Sequence, residues 1–135
     1  LIKLKIKELI FYKGYSTMFD YRKPTVQLLG RWQPWHDGHT ALFKRAFEKT
    51  GQVCIMVRES ERDKSNPHSY ALRELFIKQA LHREKFYIRE HYIIIPVPNI
   101  IDITYGRDVG YSITQESFDK DIEEISATKI RNEQS

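Results

Sequence analysis

An α/β fold, a doubly wound parallel sheet with helices on both faces, is predicted by three observations in this sequence. Short β-branched and aliphatic runs alternate with segments of helical apolar spacing. One run carries three consecutive isoleucines, Ile93 to Ile95, and so reads as a strand buried on both sides. The first run ends on a glycine and passes directly into a helical pattern, as a parallel strand does on entering a phosphate-handling loop.

Taken in order, Leu1 to Ile6 alternate partly between apolar residues and lysine, a weak edge-strand signal, and nothing before Pro24 carries a chemical motif. Residues 1–17 are expected to be an N-terminal extension, non-native or dispensable, because the first methionine is Met18; residues 18–135 then form a single domain. Thr25 to Leu29 is the first strand. A helix is expected from about Gly38 to Thr50, where Leu42, Phe43, Ala46 and Phe47 make one apolar stripe and Gly51 supplies the stop. Gln52 to Val57 is the second strand, followed by a charged loop from Arg58 to Asn66 that ends at Pro67. Ser69 caps a second helix running to about Lys85, with Leu72, Leu75, Phe76, Ala80 and Leu81 in helical register. Tyr92 to Pro96 is the third strand. Ile100 to Thr104 reads as a short strand or turn and Tyr111 to Thr114 as a further strand. Ser126 caps a last helix from Ala127, with Thr128 in its first turn and Lys129 and Arg131 within reach of anything bound at its start.

Composition bounds the rest. A chain of 135 residues, 41% hydrophobic and 30% charged, suits one globular domain with its own core. No apolar run approaches the roughly 18 to 20 residues of a membrane span, and no signal-peptide pattern is read at the start, so a cytoplasmic chain without membrane partners is expected. The single cysteine, Cys54, sits in an apolar strand and is assigned no catalytic role. A net charge of +4 fits an anionic ligand, but lysines at positions 3, 5, 7, 13 and 23 crowd the start of the chain, so charge alone ranks no partner first. Nucleic acid is not the partner expected. The oligomeric state stays open, a homo-oligomer included.

The chemistry concentrates in Gly30-Arg31-Trp32-Gln33-Pro34-Trp35-His36-Asp37-Gly38-His39. Two imidazoles three residues apart at a strand-to-helix junction can address one anionic group while the helix's unpaired N–H groups meet it from behind. Gly38 leaves room for the approach of a polyphosphate. Ordinary loop histidines are the competing reading; their place in a β-α-β unit, at the end of a strand where ligands bind, favours function. Zinc is disfavoured, because His68, His82 and His91 are the only other histidines and no cysteine pair accompanies them. Arg31 on the loop suits phosphate contact. Trp32 reads as packing, Trp35 and Tyr70 are open between packing and stacking on a ring, and Arg73 is divided between a solvated helix face and an acceptor site.

The first loop, together with Ile125-Ser126-Ala127-Thr128-Lys129-Ile130-Arg131, resembles the cytidylyltransferase-like nucleotidyltransferase superfamily with its two-histidine signature, both motifs standing in the right order. Within it the chain is most similar to archaeal-type nicotinamide-mononucleotide adenylyltransferases, whose first loop also runs Gly-Arg-Phe-Gln-Pro. Asn66-Pro67 followed by Arg73, and Ile95-Pro96-Val97-Pro98-Asn99-Ile100, resemble further stretches of that group. The resemblance implies a Rossmann-like sheet and transfer of a nucleoside monophosphate, AMP favoured, from a magnesium-bound nucleoside triphosphate to a small phosphorylated acceptor such as nicotinamide mononucleotide, with release of pyrophosphate. It implies catalytic roles for His36, His39 and Arg131, nucleotide contacts from Gly30, Arg31, Trp32, Gln33, Gly38, Ser126 and Thr128, and acceptor contacts from Trp35, Asn66 and Arg73. Mg2+ is expected on the substrate phosphates, with no protein ligand. The alternatives are a CTP-dependent cytidylyltransferase acting on a polyol- or choline-type phosphate, whose first loop usually reads Gly-Thr-Phe-Asp, and a non-catalytic nucleotide-binding module. Tyr105 to Tyr111 departs from the group's pattern where the base and acceptor are recognised.

Overall fold

Among the described residues, three parallel strands and two helices alternate: β1 (Val26–Gly30), α1 (Asp37–Thr50), β2 (Val53–Arg58), α2 (Tyr70–Arg83) and β3 (Tyr92–Val97). The computed structural model describes residues 18–107, 110–118 and 130–132. The expectations for residues 1–17, for Ser126 and Thr128, and for the start of the last helix lie outside these. The sheet order is β1-β2-β3, with Val26 beside Val53 beside Tyr92 and Leu28 beside Ile55 beside Ile94. This is the Rossmann-like α/β class.

Local chemistry sets the element ends. Gly51 closes α1 at φ 79°, a left-handed conformation, and its N–H donates to Phe47 O at 2.8 Å. Ser69 opens α2, its hydroxyl accepting from the Leu72 N–H at 3.2 Å. α2 ends at Arg83, two residues short of the expected Lys85, because Lys85 takes φ 64° and the Phe86 N–H turns back to Leu81 O. That reversal delivers the Phe86 ring to Phe43 and Phe47, each 5.0 Å away between centroids.

The core lies between one face of the sheet and both helices. Val53, Ile55 and Val57 of β2, Tyr92 of β3, Phe43 and Phe47 of α1, and Ile77 and Leu81 of α2 are buried together. Successive right-handed crossovers that step in one direction along a sheet put their helices on the same side. The second helical layer expected from the sequence is therefore not formed by these two crossovers; the opposite face, bearing Cys54, Met56, Ile93 and Ile95, is half-buried. Full burial of the three isoleucines is corrected for the same reason, since β3 is the outermost described strand and Ile93 and Ile95 face away from the helices. The strand expected at Tyr111 to Thr114 does not form, and Ile100 to Thr104 pairs with no described strand; both segments are largely exposed, and the Arg58 guanidinium donates to the Ile100 carbonyl. No described helix is long and apolar enough to cross a membrane.

At the end of the sheet away from the loops, Gln52 is buried and fastens the segment before β1. Its amide nitrogen donates to Asp20 O at 2.8 Å and to Thr25 Oγ1 at 2.6 Å, while Oε1 accepts from the Asp20 N–H at 3.1 Å.

Candidate nucleotide-binding site

The loop leaving β1 is built on aromatic packing before it can bind anything. Trp32 takes φ 52° and turns its ring back over Gly30, where a Cβ would stand 2.8 Å from the indole. Gly30 is thus required by Trp32. The buried Trp32 N–H donates to Met56 O at 3.0 Å. Trp35 is buried as well, donating to Thr40 Oγ1 at 2.8 Å and lying 4.9 Å from the Trp32 ring. Both indoles are thus packed into the loop, as the sequence reads for Trp32.

These rings support His39, whose centroid is 4.8 Å from Trp32 and 5.4 Å from Trp35. His36 and His39 then cap α1 reciprocally. The His36 Nδ1 accepts from the Gly38 N–H at 3.1 Å, the His39 Nδ1 accepts from the His36 N–H at 3.1 Å, and the two rings stack at 3.7 Å. A nitrogen that accepts from an amide N–H carries no proton, so each neutral imidazole keeps its hydrogen on Nε2. Burial depresses both pKa values: His39 falls to about 3, with a smaller push from His36, and His36 falls less, with Asp37 opposing. The capping box thereby fixes two neutral Nε2–H donors on the first turn of a helix, at the carboxyl end of a parallel strand.

Around this pair the polar residues sort into those that face the loop and those spent beneath it. Arg31 is half-buried and donates to Asn66 Oδ1 at 3.1 Å, so Asn66 orients the arginine. Asp63 in turn fixes Asn66, accepting from its N–H at 2.8 Å and its Nδ2 at 3.0 Å. Those hydrogen bonds hold the Asp63 carboxyl below its usual range. Gln33 is buried and clasps the loop before α2: its amide nitrogen donates to His68 O at 3.2 Å and its Oε1 accepts from the His68 N–H at 3.0 Å.

Arg73 is 3% exposed, which excludes a solvated helix face. Its guanidinium donates to Ser69 O at 3.2 Å, Arg31 O at 2.9 Å, Arg58 O at 3.0 Å and the Glu59 carboxylate. It ties the ends of β1 and β2 to the start of α2. Arg131, on the short helical turn at residues 130–132, donates to Gln33 O and so reaches the first loop from 98 positions away.

Sequence reasoning missed Thr40, Glu59, Asp63 and His68. Only Asp63 left a local signal, an aspartate three residues before Asn66, which is the spacing of a side-chain-closed turn. Burial pushes the Cys54 thiol up, against any nucleophilic use.

Comparison with known proteins agrees with this architecture. The chain is 38% identical over 74 residues to the nicotinamide-nucleotide adenylyltransferase of Ignicoccus hospitalis, covering 53% of this chain and 43% of that one. It is 24% identical over 123 residues to that of Methanococcus aeolicus, covering 78% and 67%, and 28% identical over 75 residues to that of Thermoplasma acidophilum, covering 54% and 40%. The chain thus matches less than half the length of the first and third of these relatives. No solved structure matches. The family model for cytidylyltransferase-like proteins matches residues 28–116, from within β1 past the last strand, and the chain belongs to the cytidylyltransferase-like family.

Proposed function

We propose that this chain is a nucleotidyltransferase that transfers AMP from ATP to a small phosphorylated acceptor, of the nicotinamide-mononucleotide class, and releases pyrophosphate. The observation that carries the reading is the reciprocal capping of His36 and His39, which leaves two Nε2–H donors side by side at the start of α1. The names of the similar proteins favour an adenylyl over a cytidylyl donor.

In this reading an oxygen of the acceptor's phosphate attacks the α-phosphorus, the bond from that phosphorus to the β-bridging oxygen breaks, and pyrophosphate leaves with the electron pair. The attacking oxygen is already anionic near neutral pH, so no strong general base is needed. Catalysis rests on positioning and on stabilising charge as it develops. His36 and His39 donate to the α-phosphate and the leaving oxygens, and the N-terminal N–H groups of α1 add to their field. Arg31 and Arg131 supply fixed positive charge at the two sides of the loop. Ser126 and Thr128 are proposed to grip the outer phosphates. Imidazole N–H and guanidinium groups are donors and cannot ligate a hard cation, so magnesium enters on the phosphates of the nucleotide.

The test is release of pyrophosphate from ATP and from CTP with nicotinamide mononucleotide as acceptor. ATP-dependent release is expected, with His39→Ala lowering turnover by about 10² to 10³ fold, as loss of one oxyanion donor does. Release from neither nucleotide defeats the enzyme reading, and release from CTP alone replaces the donor.

A further inference from the structure

Arg31 and Arg73 both reach the segment between β2 and α2, and the fold treats them differently. Arg73 is buried, all three of its side-chain nitrogens are bonded, and one partner is the Glu59 carboxylate, so its charge is neutralised inside the protein. Arg31 is half-buried and bonds one neighbour, a neutral one, through Nη1 to Asn66 Oδ1 at 3.1 Å. Its Nε and Nη2 bond no described residue. Arg31 therefore keeps its charge and two donor nitrogens for an anion at the first loop, five positions before His36.

What holds Arg31 is a relay of fixed polarity. The buried Asn66 carboxamide stands between a guanidinium, which can only donate, and the Asp63 carboxylate, which can only accept. Asp63 Oδ1 accepts from Asn66 Nδ2 at 3.0 Å and from the N–H groups of Ser65 and Asn66, both at 2.8 Å. Pro67 restricts the backbone of Asn66 as well. The amide nitrogen must then face Asp63 and the amide oxygen must face Arg31. Without Asp63 nothing among these bonds prevents the amide from turning over and setting its NH2 against the guanidinium. The carboxamide also keeps the two charges from meeting, since Arg31 and Asp63 are joined through it rather than by an ion pair.

We infer that Asp63 is a positioning residue for nucleotide binding: acting through Asn66, it holds the Arg31 guanidinium in place for the phosphates of the nucleotide. The inference rests on the nucleotidyltransferase reading. The sign of the effect separates this role from plain electrostatics. A carboxylate near an anion site repels the anion, so as a bare charge Asp63 would weaken nucleotide binding and its removal would tighten it. As the anchor of the relay, its removal weakens binding instead.

The experiment is a double-mutant cycle on the full chain, with affinity for ATP in the presence of magnesium measured by calorimetry for the parent, Asp63→Ala, Arg31→Ala and the double variant. Asp63→Ala is expected to weaken binding about 5- to 10-fold when Arg31 is present and not at all when it is alanine, a coupling of ordinary size for one hydrogen-bond network. Unchanged or tighter binding in Asp63→Ala overturns the inference. So does an equal loss in both backgrounds, which a merely structural defect in the loop would give. Should Asp63→Ala lower the thermal midpoint, Asp63→Asn replaces it in the cycle: it keeps an acceptor for the turn but can also offer its own NH2, and so no longer dictates which end of Asn66 meets Arg31. A smaller loss that again requires Arg31 is then expected, and no loss overturns the inference. Pyrophosphate release is a separate readout. A parent that binds ATP with this coupling but releases no pyrophosphate defeats only the proposed activity, and a parent that binds no ATP overturns both.

Discussion

His39 shows how one side chain serves stability and chemistry through different nitrogens. Its Nδ1 completes the cap of α1, which fixes the proton on Nε2 and makes that edge a donor. Burial lowers its pKa from the ordinary 6.5 to about 3, so between these values the unfolded chain binds a proton that the folded chain refuses. Stability is therefore complete above about pH 6.5 and falls as the pH drops toward 3. His36 and His68 are shifted in the same direction and add to the slope. Lowered carboxylates such as Glu74 lose their contribution only below their ordinary value of 4.5, which leaves the interval above it to the histidines. Thermal midpoints are expected to fall between pH 6.5 and 4.5, and less steeply in His39→Asn, which keeps an acceptor near the His36 N–H; identical slopes would show that His39 does not titrate as described. Gly30 makes a second point at this scale. Alanine there would press a methyl into the Trp32 ring, which sits against the β1 backbone, and a loss of about 1 to 3 kcal/mol in urea unfolding is expected from overpacking.

At the scale of elements, the site is assembled by polar side chains that fasten one loop to another. Arg73 secures three carbonyls from α2, the first loop and β2. Replacing it with methionine keeps the bulk but leaves the Arg31 and Arg58 carbonyls without this donor, and a loss of about 1 to 3 kcal/mol is expected, measured by chemical denaturation. Gln33 acts more locally, clasping the loop before α2 at His68. Gln33→Ala is therefore expected to lower the thermal midpoint more than it lowers kcat; a fall in kcat alone would place Gln33 at the reacting phosphate instead. The surface pair between Lys44 of α1 and Glu84 after α2 is half-exposed and adds at most about 1 kcal/mol to helix docking.

For the whole molecule, the aromatic cluster of Phe43, Phe47, Phe86 and Tyr92 joins α1 to β3 and to the turn after α2, and so carries the site's geometry indirectly. Phe43 is fully buried at its centre. Phe43→Ala is expected to cost about 3 to 5 kcal/mol, seen as a lower urea midpoint, because rings packed against three elements cannot collapse into the void. The half-buried opposite face of the sheet and the exposed segment after Pro98 mark where the described fold leaves apolar surface for further contacts.

What the amino-acid sequence determined by itself is everything encoded within a few residues of its place. The periodicity of Phe43, Ala46 and Phe47, the αL stop at Gly51, the cap at Ser69 and the histidine pair before α1 were all legible, because helix periods, caps and turns are local physics. Tertiary structure alone decided which polar side chains remain free to meet a ligand. Gln33, Asn66 and Arg73 stand in motif positions that read as ligand contacts, yet their hydrogen bonds go to Gln33–His68, Arg31–Asn66 and Arg73–Arg31 pairs 35 to 42 positions apart. Trp32 and Trp35 were likewise settled by Met56 and Thr40 and by each other. A buried donor takes whatever acceptor the fold brings within reach, and that neighbour is set by the packing of distant segments rather than by the residues beside it in the chain.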